Sequence, residues 1–251
     1  DRPEWSAVNP RNGEIYVTLT NNSSSVRTLA ATDGPNPRFY NDARTDGTAQ
    51  RGNPNGHIVR MSENDGNAAG TAFRWDVFLF GARSTADATN VNVSGLTAAN
   101  DFSSPDGCWF SRSGLMWLQT DDGAYTDVTN CMMLAAVPGK VGDGAAKTIN
   151  NVDGATTKAV PTFVGAALGE EKLRRFLVGP VQCEITGLAE TPDGKAVFVN
   201  IQHPGEDTPV GNIGNPSSWP SHWPDGGTSR PRSSTIVITK NDGGRVGGSE
   251  S

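Results

Sequence analysis

The segment EITGLAETPDGKAVFVN, residues 184–200, decides how the rest of the sequence is interpreted. It carries two apolar, β-branched runs on either side of a Thr-Pro-Asp-Gly turn that ends at Gly194. Glycine supplies the positive φ that a tight turn needs, and Val, Ile and Phe favour half-buried strands. The segment therefore predicts two antiparallel strands joined by a tight turn.

Two earlier segments share this pattern: EWSAVNPRNGEIYVTLT at residues 4–20 and SPDGCWFSRSGLMWLQT at residues 104–120. The three turn glycines lie about 100 and about 80 residues apart, whereas propeller blades repeat every 40–50 residues or so. We therefore expect an all-β protein built as a β-propeller, with two blades for each spacing. A β-sandwich, which also has short strands and regular turns, is the alternative.

The rest of the chain predicts a hairpin, one more strand, one short helix and two long loops. The helix is expected because glutamates come early and arginines late in its segment, which matches the helix dipole. The hairpin is predicted at residues 56–61 with 73–80, the strand at 131–137 and the helix at 169–177. The two long loops are predicted at residues 32–55 and 202–232.

The composition fits a loop-rich β protein, because 35% of the 251 residues are hydrophobic and the chain has 30 glycines and 16 prolines. The net charge is −6 and no basic stripe is present, so nucleic-acid binding has little support. No apolar run reaches the roughly 18 residues of a membrane span. Three cysteines cannot all pair within the chain, and their spacing does not suggest zinc.

Acidic residues recur near the starts of the three segments. Glu4 and Glu184 open the first and third segments, and Asp106 lies near the equivalent position of the second. On innermost strands of blades they would converge on the central channel, and converging carboxylates repel unless a cation neutralises them. The pattern indicates a calcium site, although Asp106 also fits an ordinary Ser-Pro-Asp-Gly turn.

Arginines near these acids could bind phosphate. Arg2 and Glu4 point to one face of an extended strand, where they could hold a phosphate and a metal side by side. The alternative is a surface ion pair. Arg51 could form a fork with phosphate oxygens or be a solvated loop residue.

Other candidates are weaker. His203 is interpreted as a metal ligand, a general acid or, more often for such a residue, a loop anchor. His57 and His222 are expected to be structural. The run TDDG at residues 120–123 is too short for a calcium-binding loop, and no nucleotide-binding or zinc-protease motif is present.

Several segments closely resemble, in order and over nearly the whole chain, the C-terminal region of PhoX-type alkaline phosphatases. They are RPEW at 2–5 with VTLTNN at 17–22, SPDGCW at 104–109, FLVGPVQCEITG at 176–187, TPDG at 191–194, FVNIQHPGE at 198–206 and RPRSSTIVITKNDGG at 230–244.

The resemblance implies a six-bladed β-propeller, of which residues 1–251 would form the C-terminal portion of one domain and roughly the later half of the blades. It implies hydrolysis of phosphomonoesters with calcium and iron as cofactors. By motif, Glu4 would be a catalytic metal ligand and Arg2 a catalytic phosphate binder. Arg51 would be a second substrate-binding arginine, and Asp106 and Glu184 would be calcium ligands.

The resemblance also implies small phosphomonoester substrates, a role in phosphate acquisition, and export by the twin-arginine route to the periplasm or the medium. No signal peptide is present in this sequence, and we expect a processed or truncated protein. An N-terminal segment would supply the earlier blades and further ligands, including an iron-bound cysteine whose motif Cys108, Cys131 and Cys183 do not match.

Two other functions remain open on the residues themselves. One is a non-enzymatic extracellular propeller that binds calcium for stability and other proteins through its surface. The other is a calcium-dependent propeller lactonase, which would need neither iron nor phosphate-binding arginines.

Overall fold

The computed structural model describes residues 1–67, 69–121 and 123–248 of the protein, and strands dominate it. In chain order the strands are β1 (Pro3–Val8), β2 (Ile15–Leu19), β3 (Asn22–Ser23), β4 (Tyr40–Asn41), β5 (Arg51–Asn53), β6 (His57–Glu63), β7 (Phe73–Phe80), β8 (Pro105–Phe110), β9 (Met116–Thr120), β10 (Met132–Ala136), β11 (Ala145–Asp153), β12 (Thr156–Val164), β13 (Leu173–Val178), β14 (Glu184–Glu190), β15 (Ala196–Gln202) and β16 (Ser234–Thr239). The helix α1 covers Gly169–Lys172, and single 3-10 turns cover Leu29–Ala31, Asn64–Gly66, Val210–Asn212 and Pro216–Ser218.

The strands form three main sheets and a small one. The first sheet has the order β1-β2-β6-β7-β12-β11, the second β13-β10-β9-β8 and the third β14-β15-β16, while β3-β5-β4 form the small sheet. The all-β prediction is confirmed. So are the three strand–turn–strand segments, which form the antiparallel pairs β1/β2, β8/β9 and β14/β15.

Each of these segments places its first strand at one edge of its sheet, as the innermost strand lies in a propeller blade. Strand β8 packs against both β1 and β14. The three sheets therefore follow one another with their first strands side by side. Closure of such sheets into a ring, as in a propeller, stays a prediction.

The expectation of two blades per spacing is wrong, because each segment opens one sheet. The predicted hairpin at residues 56–61 and 73–80 is confirmed as β6/β7, but it completes the first sheet rather than starting a new one. The additional length goes into insertions: the small sheet, the loop after β7 and the hairpin β11/β12.

The hairpin β11/β12 crosses from one sheet to another. In the sequence, the hairpin lies between β10 and β13, which are two strands of the second sheet. Its strand β12 nevertheless pairs with β7 of the first sheet, through Val164 and Val77. Arg60 fixes this crossover, because its fully buried guanidinium contacts Asp76 and Asp143, each at 2.8 Å. Burial alone would lower the pKa of Arg60, but hydrogen bonds to the two carboxylates raise it.

The helix predicted over residues 169–177 is only one turn long. It stops at Lys172, and the next residues form β13, which pairs with the predicted strand β10 from Leu173↔Ala136 to Val178↔Met132. In β13 Leu173 is buried, and the residues after it alternate between exposed and partly buried, as in a strand. An edge position in the second sheet therefore overrides the weak helical charge pattern.

Both predicted long loops contain short regular elements. Residues 32–55 include β4 and β5, and residues 202–232 include two 3-10 turns. In both segments turns still predominate.

The second sheet is buried on both faces. All five residues of β9 are buried, with Leu118 in the hydrophobic cluster shared with the first sheet and Trp117 in the cluster shared with the third. In the first cluster, the rings of Tyr16 and Phe110 meet with centroids 5.0 Å apart. Apolar burial at about 25 cal/mol per Å² makes these two clusters the main force that holds the three sheets together.

A glycine lies where β6 begins against the end of β2. Gly56 has φ of +62°, and a Cβ at this position would overlap the backbone carbonyl oxygens of Leu19 and Thr20. Gly13, in the β1/β2 turn, has φ of +74° but open space around it. A comparison of the two positions therefore separates the cost of a positive φ from the cost of steric overlap.

We expect Gly56→Ala to lower the free energy of unfolding by about 1–3 kcal/mol more than Gly13→Ala, since only the first adds steric overlap to the cost of a positive φ. Urea denaturation of the two variants measures this difference. Equal losses would show that the approach of β6 to β2 is not as tight as described.

Candidate functional site

Three acidic residues lie at the same end of three neighbouring strands. Glu4 is the second residue of β1, Asp106 the second of β8 and Glu184 the first of β14. Because β8 packs between β1 and β14, the charges of Glu4 and Glu184 add to the effect of burial in raising the pKa of Asp106. The structure therefore brings together the acids that the sequence pattern predicted to converge.

Asp121 is a fourth member that the sequence analysis missed. It directly follows β9, and its backbone amide donates to the carbonyl oxygen of Ser104. Its charge raises the pKa values of both Asp106 and Glu184. The hairpin register could have identified Asp121 from the sequence. In an antiparallel hairpin the end of the second strand lies beside the start of the first, and here Thr120 of β9 pairs with Pro105 of β8. We call Glu4, Asp106, Asp121 and Glu184 the acid cluster.

Arg2 lies at the edge of the acid cluster. Its Nη2 is 2.8 Å from Oε1 of Glu4 and 4.0 Å from Oδ2 of Asp121. The side chain is 55% exposed, so its remaining guanidinium donors face solvent. The expectation that Arg2 and Glu4 share one face is confirmed by the hydrogen bond between them.

Asp106 has the most strongly shifted carboxyl of the acid cluster. Burial is the main reason that its pKa rises to about 7, and the charges of Glu4, Glu184 and Asp121 raise it further, while Arg2 lowers it. Its backbone carbonyl accepts a 2.7 Å hydrogen bond from the Thr18 hydroxyl, which holds β8 against β2. One arginine therefore does not offset the negative charge that the fold concentrates here.

On the third sheet, the end of β15 lies beside the start of β14. Gln202 donates a 2.8 Å hydrogen bond to Oε2 of Glu184, and the His203 ring lies between Glu184 and Glu206. Burial, followed by the charge of Asp121, raises the pKa of Glu184. Glu206 and the central position of His203 were not identified from the sequence, although the pairing Glu184↔Gln202 follows from the hairpin register.

Arg51 lies apart from these contacts. It is the first residue of β5, and its guanidinium pairs with Asp153 at the tip of the hairpin β11/β12. It also lines a polar pocket with Asn21, whose carbonyl accepts a hydrogen bond from the Arg2 amide. The structure therefore separates Arg51 from the acid cluster by the segment that leads into β3.

Two histidines are structural, as expected. His57 is fully buried between Asn53 and the carbonyl of Pro35, and burial lowers its pKa to about 3, with Arg38 adding to the effect. His222 bonds the carbonyl of Ser229 within the long loop after β15.

The donors of the acid cluster are carboxylate oxygens, which calcium prefers. In the described part of the chain, however, no three acidic, histidine or cysteine residues lie close enough to hold one metal ion. Cys108, Cys131 and Cys183 are all buried in the hydrophobic clusters. Burial raises the pKa of Cys108 to about 12, so its thiol is not a ready ligand.

The raised pKa of Asp106 predicts how stability depends on pH. Between its ordinary value of 3.8 and about 7, the folded protein holds a proton that the unfolded chain has lost. Without metal, stability should therefore fall as pH rises through this range, by at most about 1.4 kcal/mol per pH unit from this group. Denaturation in EDTA from pH 4.5 to 8 should show a shallower decline in Asp106→Asn, and identical pH profiles would contradict the assignment.

Comparison with known proteins identifies the family. A sequence model described as Alkaline phosphatase PhoX matches residues 1–205. No curated protein matches the chain. Pseudomonas fluorescens PhoX, solved in complex with vanadate, a transition state analogue, is similar with 31% identity and a TM-score of 0.68. The similarity covers 98% of this chain and 35% of that one, so the chain spans about a third of the length of its solved relative. Because the family match extends over most of the sequence and agrees with the structural match, the chain belongs to the PhoX family of alkaline phosphatases.

Proposed function

We propose that this chain is the part of a metal-dependent phosphomonoesterase that carries one side of its metal centre and a phosphate-binding arginine. The observation that carries the proposal is the acid cluster at the starts of β1, β8 and β14, where Asp106 acquires a pKa of about 7 next to Arg2. Perturbed carboxylates next to an exposed cation are typical of functional sites. Membership of the PhoX family supports phosphate esters as substrates.

Calcium fits the donor chemistry of the acid cluster. Glu4, Asp106 and Glu184 would ligate calcium ions, with Asp121 as a further oxygen donor and with no more than two of these side chains on any one ion. Bound calcium and iron would supply positive charge that polarises a phosphoryl group and positions its nucleophile. Because no three acidic, histidine or cysteine side chains among the described residues lie close enough for one ion, the remaining ligands, including any thiolate for iron, would come from outside these residues.

Arg2 would bind the phosphate. Its guanidinium already contacts Glu4, and its exposed donors suit a fork to phosphate oxygens. Arg51 is proposed as the second phosphate-binding residue on the resemblance alone. Its ion pair with Asp153 would have to open for this role. Both side chains of the pair lie at the surface, on the small sheet and on the β11/β12 hairpin.

Small organic phosphate esters would be the substrates, and the periplasm or the medium would be the compartment. In the described residues, no helix is long and apolar enough to cross a membrane. The rest of the longer protein would be the main partner of this chain, because the matched relative is almost three times longer.

A non-enzymatic calcium-binding role is the second candidate. It is favoured by one observation, which is that the acid cluster offers the carboxylate oxygens that calcium prefers, whereas Cys108, Cys131 and Cys183 are buried in the hydrophobic clusters and offer no thiolate for iron. In that case calcium would stabilise the acid cluster without turnover.

The first experiment is hydrolysis of a chromogenic phosphomonoester at alkaline pH by the purified protein, as isolated, after EDTA and after calcium is restored. We expect activity that EDTA abolishes and calcium restores, because the acid cluster needs cations to offset its charge. Calcium binding without hydrolysis would favour the second candidate, and hydrolysis unaffected by EDTA would contradict metal dependence.

We expect Glu4→Ala to lower kcat/KM by about 100-fold or more, since it removes a metal ligand and the partner of Arg2. Glu171→Ala, which removes an exposed glutamate of α1, is the matched control and should leave turnover unchanged. Near-normal hydrolysis by Glu4→Ala would remove Glu4 from the site.

A further inference from the structure

His203 has an unusual backbone conformation next to the acid cluster. It directly follows β15 and has φ of +38°, which is uncommon for a residue other than glycine. Its amide donates a 2.9 Å hydrogen bond to Oγ of Ser233, and the amide of Gly205 bonds the carbonyl of Val181. Contacts with two other segments therefore hold this turn in place.

The conformation directs the imidazole between two carboxylates. Nε2 lies 3.6 Å from Oε2 of Glu184, and Nδ1 lies 3.2 Å from Oε2 of Glu206. The second contact is not an aligned hydrogen bond, because among the described residues buried Nδ1 has no hydrogen-bond partner.

Glu184 is thus approached from one side by two neighbouring residues. Gln202 donates to its Oε2 at 2.8 Å, and Nε2 of His203 lies 3.6 Å from the same oxygen. A carboxylate with this many partners keeps one orientation. The orientation matters because Glu184 faces Asp106 and Asp121 in the acid cluster.

We propose that His203 is a positioning residue that orients Glu184 for metal binding and links it to Glu206. This inference rests on the proposed function, in which Glu184 is a calcium ligand. It differs from a loop-anchoring role, in which the backbone of His203 would matter and its ring would not. Partners of ligating carboxylates typically contribute 10–100-fold or so to metal affinity.

The test is calcium affinity, measured by titration calorimetry on the purified protein after EDTA treatment. In His203→Gly, which removes the ring and accepts the positive φ, we expect affinity to fall about 10- to 100-fold. His203→Asn also tolerates this backbone conformation and keeps one N–H donor, so its affinity should lie between that of His203→Gly and that of the wild type. His222→Ala, in the same long loop but bonded only locally, is the control and should bind calcium normally.

A second readout separates positioning from anchoring. The rise in Tm that calcium causes should shrink in His203→Gly, whereas a loop anchor would lower Tm equally with and without calcium. Calcium affinity equal to that of the wild type in His203→Gly would overturn the inference. Because binding is measured without substrate, that result would leave the proposed phosphatase activity standing. If the wild-type protein hydrolysed no phosphomonoester while His203→Gly still weakened calcium binding, the inference would stand and the proposed activity would be removed.

Discussion

Burial of carboxylates that repel one another is the constraint that the rest of this structure must satisfy. Glu4, Asp106, Asp121 and Glu184 lie at adjoining strand ends with Arg2 beside them, and burial, together with the neighbouring negative charges, raises the pKa of Asp106 to about 7. Charges of one sign stay this close only when the surrounding fold prevents them from separating. Here the two hydrophobic clusters on either face of the second sheet supply that constraint.

The arrangement of strands explains why these acids meet. Each sheet begins with the strand that carries an acid at its start, and the three first strands lie side by side. The second strand of a hairpin then returns to the same end, which adds Asp121 after β9 and His203 after β15. The predicted acids lie at the start of the first strand of a hairpin, and the missed residues directly follow its second strand. These two positions are neighbours because paired antiparallel strands run in opposite directions.

Local sequence was sufficient for the hairpins and for the three acids, because a turn glycine between β-branched runs specifies both strands and the end at which Glu4, Asp106 and Glu184 lie. It was not sufficient where distant residues decide the outcome. Residues 173–177 look helical until Met132–Ala136 offers them an edge to pair with. The number of sheets was overestimated for the same reason, since the β11/β12 hairpin joins a sheet that its neighbours in the sequence do not belong to. Arg51 was expected in a long loop, whereas it begins β5, and its pairing with Asp153 depends on where that hairpin folds back.

The same hairpin has a consequence for how the chain unfolds. In the sequence, β11 and β12 lie between β10 and β13 of the second sheet, but in the structure they form the edge of the first sheet. The polypeptide therefore passes from the second sheet to the first and back again. Neither sheet can be detached without breaking the other, so the two form one cooperative unit rather than two successive modules. The third sheet is built from one continuous stretch of chain, β14 to β16, and has no such crossover among the described residues. Opening of the structure should therefore begin there, at the sheet that carries Glu184.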